Sequence, residues 1–499
     1  MWEGQGWAFM KIAFASSEVF PYAKTGGLAD VAGALPIELS KLGHEVKIFM
    51  PKYNTFGEIE HGLHYLWDIG EIPIRVAGLV HSVHVHTATL PNSNVQIYFV
   101  DCPHYFHRFR VYTDDKDEDE RFILFSKGII EILQRLQWAP DIIHCNDWQT
   151  GLLPLLLKEN YSWDKMFDNA ATVFTIHNVA YQGRFPKNAF YKAEIREIHS
   201  QNGGLGEYEG GVNFLKTAIL TSDIINTVSD TYAQELLTPD YGEGMQDFLA
   251  KRRNDFYGII NGIDYSVWDP EKDFILPHHF SINDLSGKLL NKKFLVEHLN
   301  FSIDESVPLI GIISRLVSQK GFDLVEQVLD ELMHLNAQWL ILGSGEQKYE
   351  ELFRNITFEH PGKVYFYRGY NNELAHLIEA ACDIFLMPSK FEPCGLNQIY
   401  SLRYGTVPVV RKTGGLADTV YDWNESLAKR LKTGTGYTFG DYSGNALLHS
   451  VQRAIHDFHL KDVWKRIQAN GMSKDFSWKK SAEKYAALYD EASKERKSR

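Results

Sequence analysis

Short apolar runs alternate along the chain with longer stretches in which apolar residues recur at helical spacing. KIAFAS (11–16), a glycine-containing loop, a helical pattern over about 29–42 closed by Gly43, and EVKIFMP (45–51) predict a strand–helix–strand unit. Residues 70–100 alternate polar and apolar positions in strand fashion. PDIIHCNDWQTGLLP (140–154) and ATVFTIHNVAYQG (171–183) each predict an apolar strand that ends in a polar loop. Helix-like FLKTAILTSD, the strand INTVS and glycine-rich YGEGM follow, and YGIINGIDYSVWDP reads as the exit from a first domain. A second series opens with PLIGIIS (308–314), the loop RLVSQKG, a helix to about 334 and WLILGSGE (339–346). Further strands are expected at KVYFYRG (363–369), DIFLMP (383–388) and VPVV (407–410). Alternation of this kind implies parallel sheets with right-handed crossovers.

The expected fold class is therefore α/β, with two Rossmann-like domains facing each other across a cleft, one over 10–265 and the other over 266–476. The last stretch, 477–499, predicts a helix with Ser477 as N-cap and Ala482, Tyr485, Leu488 and Tyr489 on one face. That face needs a surface to cover, so the helix is expected to cross back onto the N-terminal domain. KTGGLADV (24–31) returns almost letter for letter as KTGGLADTV (412–420). Both copies follow a strand-like run and open a helix-like one, which predicts equivalent loops in two similar βα units.

Composition narrows the classes. The 499 residues suggest two or more domains, and 44% hydrophobic residues suffice for large cores. A net charge of −13, with no basic block outside the C-terminal tail, argues against a general binder of nucleic acid or anionic membranes. Cys102, Cys145, Cys382 and Cys394 show no CxxC spacing, which points to a reducing compartment and away from disulfides or a zinc module. No run approaches the ~20 apolar residues that span a bilayer, and MWEGQGWAF ahead of Met10 lacks the character of a targeting signal, so the expected location is the cytoplasm. His81, His84 and His86 read as sheet-surface histidines rather than metal ligands, and DDKDEDE (114–120) as a solvated loop before a helix starting near Arg121.

The candidate chemistry centres on 388–420. Pro388 and Pro393 bar regular helix, while Cys394, Leu396, Ile399 and Leu402 recur at helical spacing, which places Glu392 in a short loop at a helix start. Gly395 lets a ligand approach the backbone there, and the Glu392 carboxylate can hold sugar hydroxyls. Arg315 and Lys320 directly follow a strand and can converge on a phosphate, and Lys24, beside Gly26 and Gly27, offers a third cation. His144, Asp147 and His177 fall at strand ends, where open α/β sheets bind ligands. The dinucleotide fingerprint G-x-G-x-x-G is missing from both KTGGLAD and GSGEQK (343–348), and no Walker A motif is present, which disfavours hydride and phosphoryl transfer. No DxD metal motif sits in a suitable loop.

KTGGLADV (24–31), HCNDWQTGL (144–152), TIHNVAYQG (175–183), NGID (261–264), SRLVSQKG (314–321) and SKFEPCGLNQIYSLRYGTVPVVRKTGGLADTV (389–420) together resemble the glycogen and starch synthases. The resemblance implies a GT-B fold and glucosyl transfer, with retention, from ADP-glucose or alternatively UDP-glucose to the non-reducing end of an α-1,4-glucan such as a maltooligosaccharide or glycogen. It implies that Lys24, Gly26 and Gly27 meet the donor's phosphates with Asp30 supporting that loop, and that Asp147 and His177 contact the glucosyl group. Arg315 and Lys320 would hold the diphosphate, Glu392 the glucose hydroxyls, and Cys394, Gly395 and Leu396 the same end of the pocket. Tyr370, in RGYNNE, resembles the aromatic stacker of the nucleobase, and Asn261 a member of the sugar site. No metal or other cofactor is expected, since the cations take that role. Tyr400, not Glu, stands eight residues after Glu392, a difference from other retaining two-domain transferases that this family shares. Ala29 leans towards the bacterial type; a plastid source would instead place the protein in the stroma. A catalytically silent glucan-binding relative and a transferase to a small acceptor are the rival readings.

Overall fold

The computed structural model describes residues 8–58, 61–299, 301 and 304–498. They form two compact units: the chain to Val228, Ala233–Gly262 and the segment from Trp478 make the first, and Ser229–Tyr232 with Ile263–Ser477 make the second. The chain leaves the first unit at Gly262 and returns to it at Trp478. Residues 229–232, placed in the first domain by sequence, group with the second because Ser229 Oγ donates to the Pro393 carbonyl (2.5 Å) and Thr231 N–H to the Asp418 carboxylate (2.9 Å).

In the first unit the parallel strands lie in the order Gln96–Asp101, Glu45–Pro51, Lys11–Ala15, Ile142–Asn146, Ala171–Ile176, Ile224–Thr227 and Phe256–Gly258. Antiparallel strands, Leu79–Thr89 with Ile72–Val76 and His64–Tyr65, extend one edge. The sequence difference between the two kinds follows burial. Ile72–Val76 alternates buried and exposed residues, whereas Ile142–Asn146 is buried throughout and reads as one unbroken run. Within the edge, His81 meets the Tyr105 hydroxyl (3.2 Å), His84 the Tyr65 hydroxyl (3.2 Å) and His86 the Asp101 carboxylate (3.4 Å), so each histidine has its own neighbour.

The terminal helix, Trp478–Ser498, belongs to this unit and packs on the helix Gly27–Lys41 and on strands Ala171–Ile176 and Ile142–Asn146. Its buried face includes Ala482, Tyr485, Leu488 and Tyr489. Polar tips on that face are satisfied: the Tyr489 hydroxyl pairs with His144 Nδ1 (2.7 Å), the Tyr485 hydroxyl accepts from Asn226 (3.2 Å), and Ser481 donates to the Ile260 carbonyl (2.8 Å).

The acidic run differs from expectation. A helix spans Glu118–Arg135, so the run's end is helical, and Glu118, Asp119 and Arg121 are buried. Five of the run's carboxylates are paired: Glu118 with Arg121 (2.6 Å), Asp119 (2.9 Å) and Glu120 (2.8 Å) with Lys192, and Asp115 (2.8 Å) and Asp117 (2.5 Å) with Arg108. The partners Arg108 and Lys192 lie outside the run, and a one-sign sequence block gives no sign of them.

The second unit has six parallel strands in the order Val364–Arg368, Gln338–Gly345, Leu309–Leu316, Ile384–Met387, Val407–Arg411 and Tyr437–Phe439. By order of appearance that is 3-2-1-4-5-6, the doubly wound Rossmann arrangement, and the first unit's parallel strands begin the same way. Ile310 and Ile312 face one core with Ile384 and Leu386, while Leu309 faces another with Phe385, so these strands are apolar on both sides. Where the chain enters and leaves this unit, Ile263 N–H donates to the Phe476 carbonyl (2.8 Å) and Phe476 N–H to the Tyr265 hydroxyl (2.9 Å).

The repeated heptapeptide KTGGLAD corrects an expectation. Its first copy follows strand one of its sheet, its second copy follows strand five of the other. The loops are not topological equivalents. A strand before and a helix after are shared by every βα unit, and only the order of strands in the sheet distinguishes one such loop from another.

Candidate functional site

In each sheet the order reverses beside the first strand, and the loops leaving the carboxyl ends of the strands at that point carry the candidate residues. In the first unit the loop after Lys11–Ala15 is built on Glu18, which is buried. One Glu18 oxygen accepts from the Thr25 and Gly26 N–H groups, the latter at 3.2 Å, and the other from the Thr25 hydroxyl (2.6 Å) and Tyr112 hydroxyl (2.6 Å). Ser17 Oγ is 2.8 Å from the Tyr112 oxygen and completes the network. Two N–H groups of the glycine loop are thus turned inward to an internal carboxylate. What remains outward is the Lys24 ammonium, half exposed and 2.6 Å from Asp30 Oδ1, and the start of the helix Gly27–Lys41, which has no side-chain cap. Burial holds the Asp30 carboxyl above its ordinary range, against the pull of Lys24. A Cβ at Gly26 or Gly27 would meet no atom within 4 Å, so the protein's own packing does not require glycine at either position.

The loops after Ile142–Asn146 and Ala171–Ile176 supply Asp147 and His177. Asp147 has φ 55° and ψ 178°, a conformation that non-glycine residues rarely hold and that concentrates at functional sites. Its carboxylate accepts from the His177 N–H (2.8 Å), and burial pushes its carboxyl up to about 7. Asn146 is fully buried; its amide nitrogen donates to the Ala15 carbonyl (3.0 Å), which leaves its oxygen to accept from His177 Nε2 (2.9 Å). His177 therefore carries its proton on Nε2 and keeps the lone pair on Nδ1, and burial pulls the imidazole down to about 3. His144 points the other way, into the core between Tyr489 and Thr175. Asn261 is 5% exposed, and its Oδ1 has no hydrogen-bond partner among the described residues.

In the second unit the loops after Leu309–Leu316 and Ile384–Met387 meet. Glu392, 6% exposed, accepts on Oε2 from Lys320 Nζ (2.6 Å) and Ser389 Oγ (3.0 Å). Lys390 N–H donates to the Gln319 carbonyl (2.8 Å), and the Gln319 amide to the Phe391 carbonyl (3.2 Å), so the two loops hold each other. Arg315 is exposed at the strand end and makes no ion pair among the described residues. The helix expected from Cys394 onwards starts later, at Asn397 with Leu396 as N-cap, so Glu392, Cys394 and Gly395, the last with φ 70°, belong to a bent loop ahead of the helix. Asn397 donates to the Ile313 carbonyl (2.7 Å) and ties that loop to the first strand. Tyr370 follows the third strand; the residue is 77% exposed and its hydroxyl donates to Asn372 (3.0 Å).

The second heptapeptide copy packs beneath this loop. Gly415 N–H donates to the Glu392 carbonyl (3.1 Å), and a Cβ at Gly414 or Gly415 would come within 2.0 Å of the Glu392 or Cys394 carbonyl oxygen. Here the glycines serve close backbone contact inside the protein.

Lys24, Asp147 and His177 thus lie on neighbouring loops of one unit, Arg315, Lys320 and Glu392 on neighbouring loops of the other, and Tyr370 on a loop two strands from that of Arg315. Three contributors escape the sequence reading. Glu18 sits near a motif and Ser389 opens one, neither with any spacing that marks it, and Asn146 lies inside HCNDWQTGL but takes its role from its register beside Ala171–Ile176.

Residues 11–251 match a family model described as the starch synthase catalytic domain, and residues 297–470 one described as glycosyl transferases group 1. A glycogen synthase from Desulforudis audaxviator is 41% identical over 496 residues, covering 97% of this chain and 96% of that protein. One from Geotalea daltonii is 43% identical over 486 residues, covering 96% and 98%. Among solved structures, the catalytic domain of starch synthase IV from Arabidopsis thaliana, bound to ADP and acarbose, superposes with a TM-score of 0.90 at 33% identity and covers 98% of this chain and 100% of that one. Sucrose-phosphate synthase from Thermosynechococcus elongatus, at TM-score 0.59 and 16% identity over 97% of this chain and 98% of its own, shares the fold.

Proposed function

The chain belongs to the glycogen synthase family, a glycosyltransferase of GT-B fold that transfers glucosyl units in glucan synthesis, and from that premise we propose that its donor is ADP-glucose. Transfer runs with retention onto the non-reducing end of an α-1,4-glucan, in the cytoplasm. The observation that carries this reading is the Lys320–Glu392–Ser389 cluster beside Arg315 at the reversal point of the second sheet. When the glycosidic bond to the donor breaks, negative charge grows on the departing diphosphate, and preformed cations stabilise it without reorganising. Lys320 is oriented in advance by Glu392, and Arg315 is free to fork onto phosphate oxygens. Glu392, with Oε2 engaged, offers Oε1 to glucose hydroxyls. The cations take the part a metal plays in other transferases, so no cofactor is assigned.

In the first unit, Lys24 and the open helix start at Gly27 contact the phosphates, and Asp147 and His177 the glucosyl group. His177 enters as a neutral imidazole with its tautomer set by Asn146. Tyr370 stacks on the base. The ADP bound by the Arabidopsis relative supports the adenine donor, although an exposed tyrosine ring serves adenine and uracil alike. No helix among the described residues is long and apolar enough to cross a membrane.

The test is incorporation of labelled glucose into glycogen from ADP-glucose and from UDP-glucose, with and without EDTA. The expected result is a higher kcat/KM for ADP-glucose and no loss on chelation. A UDP-glucose preference overturns the donor, loss on chelation overturns the metal-free reading, and label in a small acceptor with glycogen inert overturns the acceptor.

A further inference from the structure

Trp268 lies in the connection by which the chain enters the second unit, between two flat partners. The His376 ring is 3.8 Å away at 10° on one face and the Tyr400 ring 3.9 Å away at 12° on the other. The partners come from different helices, Asn372–Ala381 and Asn397–Arg403. Asp273, on the same connection, joins the same pair: its Oδ2 accepts from the Tyr404 hydroxyl (2.6 Å) and from His376 Nδ1 (2.7 Å). Asp269 adds a third tie by accepting from Arg403 (2.8 Å). His376 Nε2 is buried with no hydrogen-bond partner, so the histidine is held by its ring face and by Asp273.

Each helix begins where a donor-side loop ends. Tyr370 directly precedes Asn371, the N-cap of the first helix, and Glu392, Cys394, Gly395 and Leu396 lead into the second. A stack of three nearly parallel rings sets a separation between its outer members that an aliphatic filler does not. Rings resist compression along the stacking axis, and with centroids only 3.8 and 3.9 Å apart and the planes within 12° of parallel the three rings sit face to face with little slack. Trp268 also packs against the apolar core of this unit, but it and Tyr400 are only partly buried, and the face-to-face geometry goes beyond what covering apolar surface requires.

We propose that Trp268 is a positioning residue for the transfer reaction: through His376 and Tyr400 it fixes where Tyr370 stands relative to the loop of Glu392–Leu396, and so where the donor's base is held relative to its glucosyl group. This rests on the donor-side reading given above. Misplacement of reacting groups by about 1 Å can cost on the order of 100-fold in rate, which is the scale on which such a spacer acts.

The experiment compares Trp268→Ala, Trp268→Phe and Tyr400→Leu with the parent chain in donor and glycogen kinetics and in ADP titration. Tyr437→Phe, which removes a hydrogen bond to Asp457 in the same unit, serves as a control for stability loss alone. Trp268→Ala should raise the donor KM and weaken ADP binding by roughly 10-fold and lower kcat by a similar factor, with the glycogen KM within about twofold of the parent. Trp268→Phe should restore most of each constant, and Tyr400→Leu should fall between. If Trp268→Ala does not fold, the last two variants carry the test. Donor constants equal to the parent's in Trp268→Ala or Tyr400→Leu overturn the proposal, as does a fall in kcat alone that Tyr437→Phe matches at equal loss of Tm. If the parent chain transfers from neither nucleotide sugar, the functional reading fails by itself, and ADP affinity across the variants still decides the role of the stack.

Discussion

Arg315→Ala and Lys320→Ala should cost similar amounts of activity and very different amounts of stability. Lys320 Nζ is 2.6 Å from Glu392 Oε2, with side-chain exposures of 18% and 8%, and among the described residues the other donor on that oxygen is the Ser389 hydroxyl. Removing the lysine strips a charged hydrogen bond from a buried carboxylate, a loss of about 1.5–3 kcal/mol. At roughly 2–4 °C per kcal/mol for a domain of this size, Tm should fall by about 3–12 °C. Arg315 is exposed and has no ion pair among the described residues, so its removal should change stability by no more than about 0.5 kcal/mol. In catalysis both supply positive charge to the leaving diphosphate, and loss of one such group lowers kcat by about 100-fold or more, close to 3 kcal/mol. Scanning fluorimetry with steady-state kinetics at saturating donor measures both. A rise in KM with kcat unchanged would refute the transition-state role, and an Arg315→Ala chain less stable than Lys320→Ala would refute the structural assignment.

The two heptapeptide copies should respond oppositely to one methyl group. Gly27→Ala, at an open helix start, should keep or slightly raise stability, by up to about 1 kcal/mol, while raising the donor KM; Gly415→Ala should lower Tm by roughly 5 °C or more, since its Cβ would meet the Cys394 carbonyl oxygen at 2.0 Å. Asp147→Asn should show a pH-dependent stability difference. The folded carboxyl titrates near 7 instead of 3.8, so between those values the folded chain keeps a proton that the unfolded chain has released, and this group's contribution falls as pH rises through that window. The Tm of the variant minus that of the parent should therefore be larger at pH 8 than at pH 5, and equality or the reverse order contradicts the assignment. His144 and His177, both pulled down to about 3, act with the opposite sign in both proteins and weaken the fold as pH drops below 6.5. Deleting the chain after Ser477 should unfold the first unit. Trp478, Tyr485, Leu488 and Tyr489 are buried and contribute about 1.5–3 kcal/mol each, together comparable to a domain's whole stability of about 5–15 kcal/mol; a truncated chain with native near-UV dichroism and hydrogen-exchange protection in that unit would refute this.

The sequence carries the strands well because those of a parallel sheet are apolar on both faces: EVKIFMP and VPVV mark their elements almost to the residue. It carries the motif residues because they lie at strand ends. What it does not carry is order across the sheet, which is why the repeated heptapeptide looks like a pair of equivalent loops. Nor does it carry compensation between distant charges. Arg121 and Lys192 turn an acidic run into a buried helix start, and Glu18 occupies backbone donors that spacing alone assigns to a ligand.

The terminal helix also fixes the order of events during synthesis. Strands of the first unit emerge from the ribosome before the second unit, yet His144 and Asn226 find the hydroxyls of Tyr489 and Tyr485 only when the helix Trp478–Ser498 has been made. At about 5–20 residues per second, the stretch between Gly262 and Trp478 takes on the order of 10–40 s to translate. Throughout that interval the first unit waits with an uncovered apolar face, while the second unit, whose segment from Ile263 to Ser477 is nearly continuous, can close first. The half made first is therefore the half completed last, and a nascent chain is open to aggregation and to chaperone capture in its N-terminal part until the terminal helix from Trp478 has emerged.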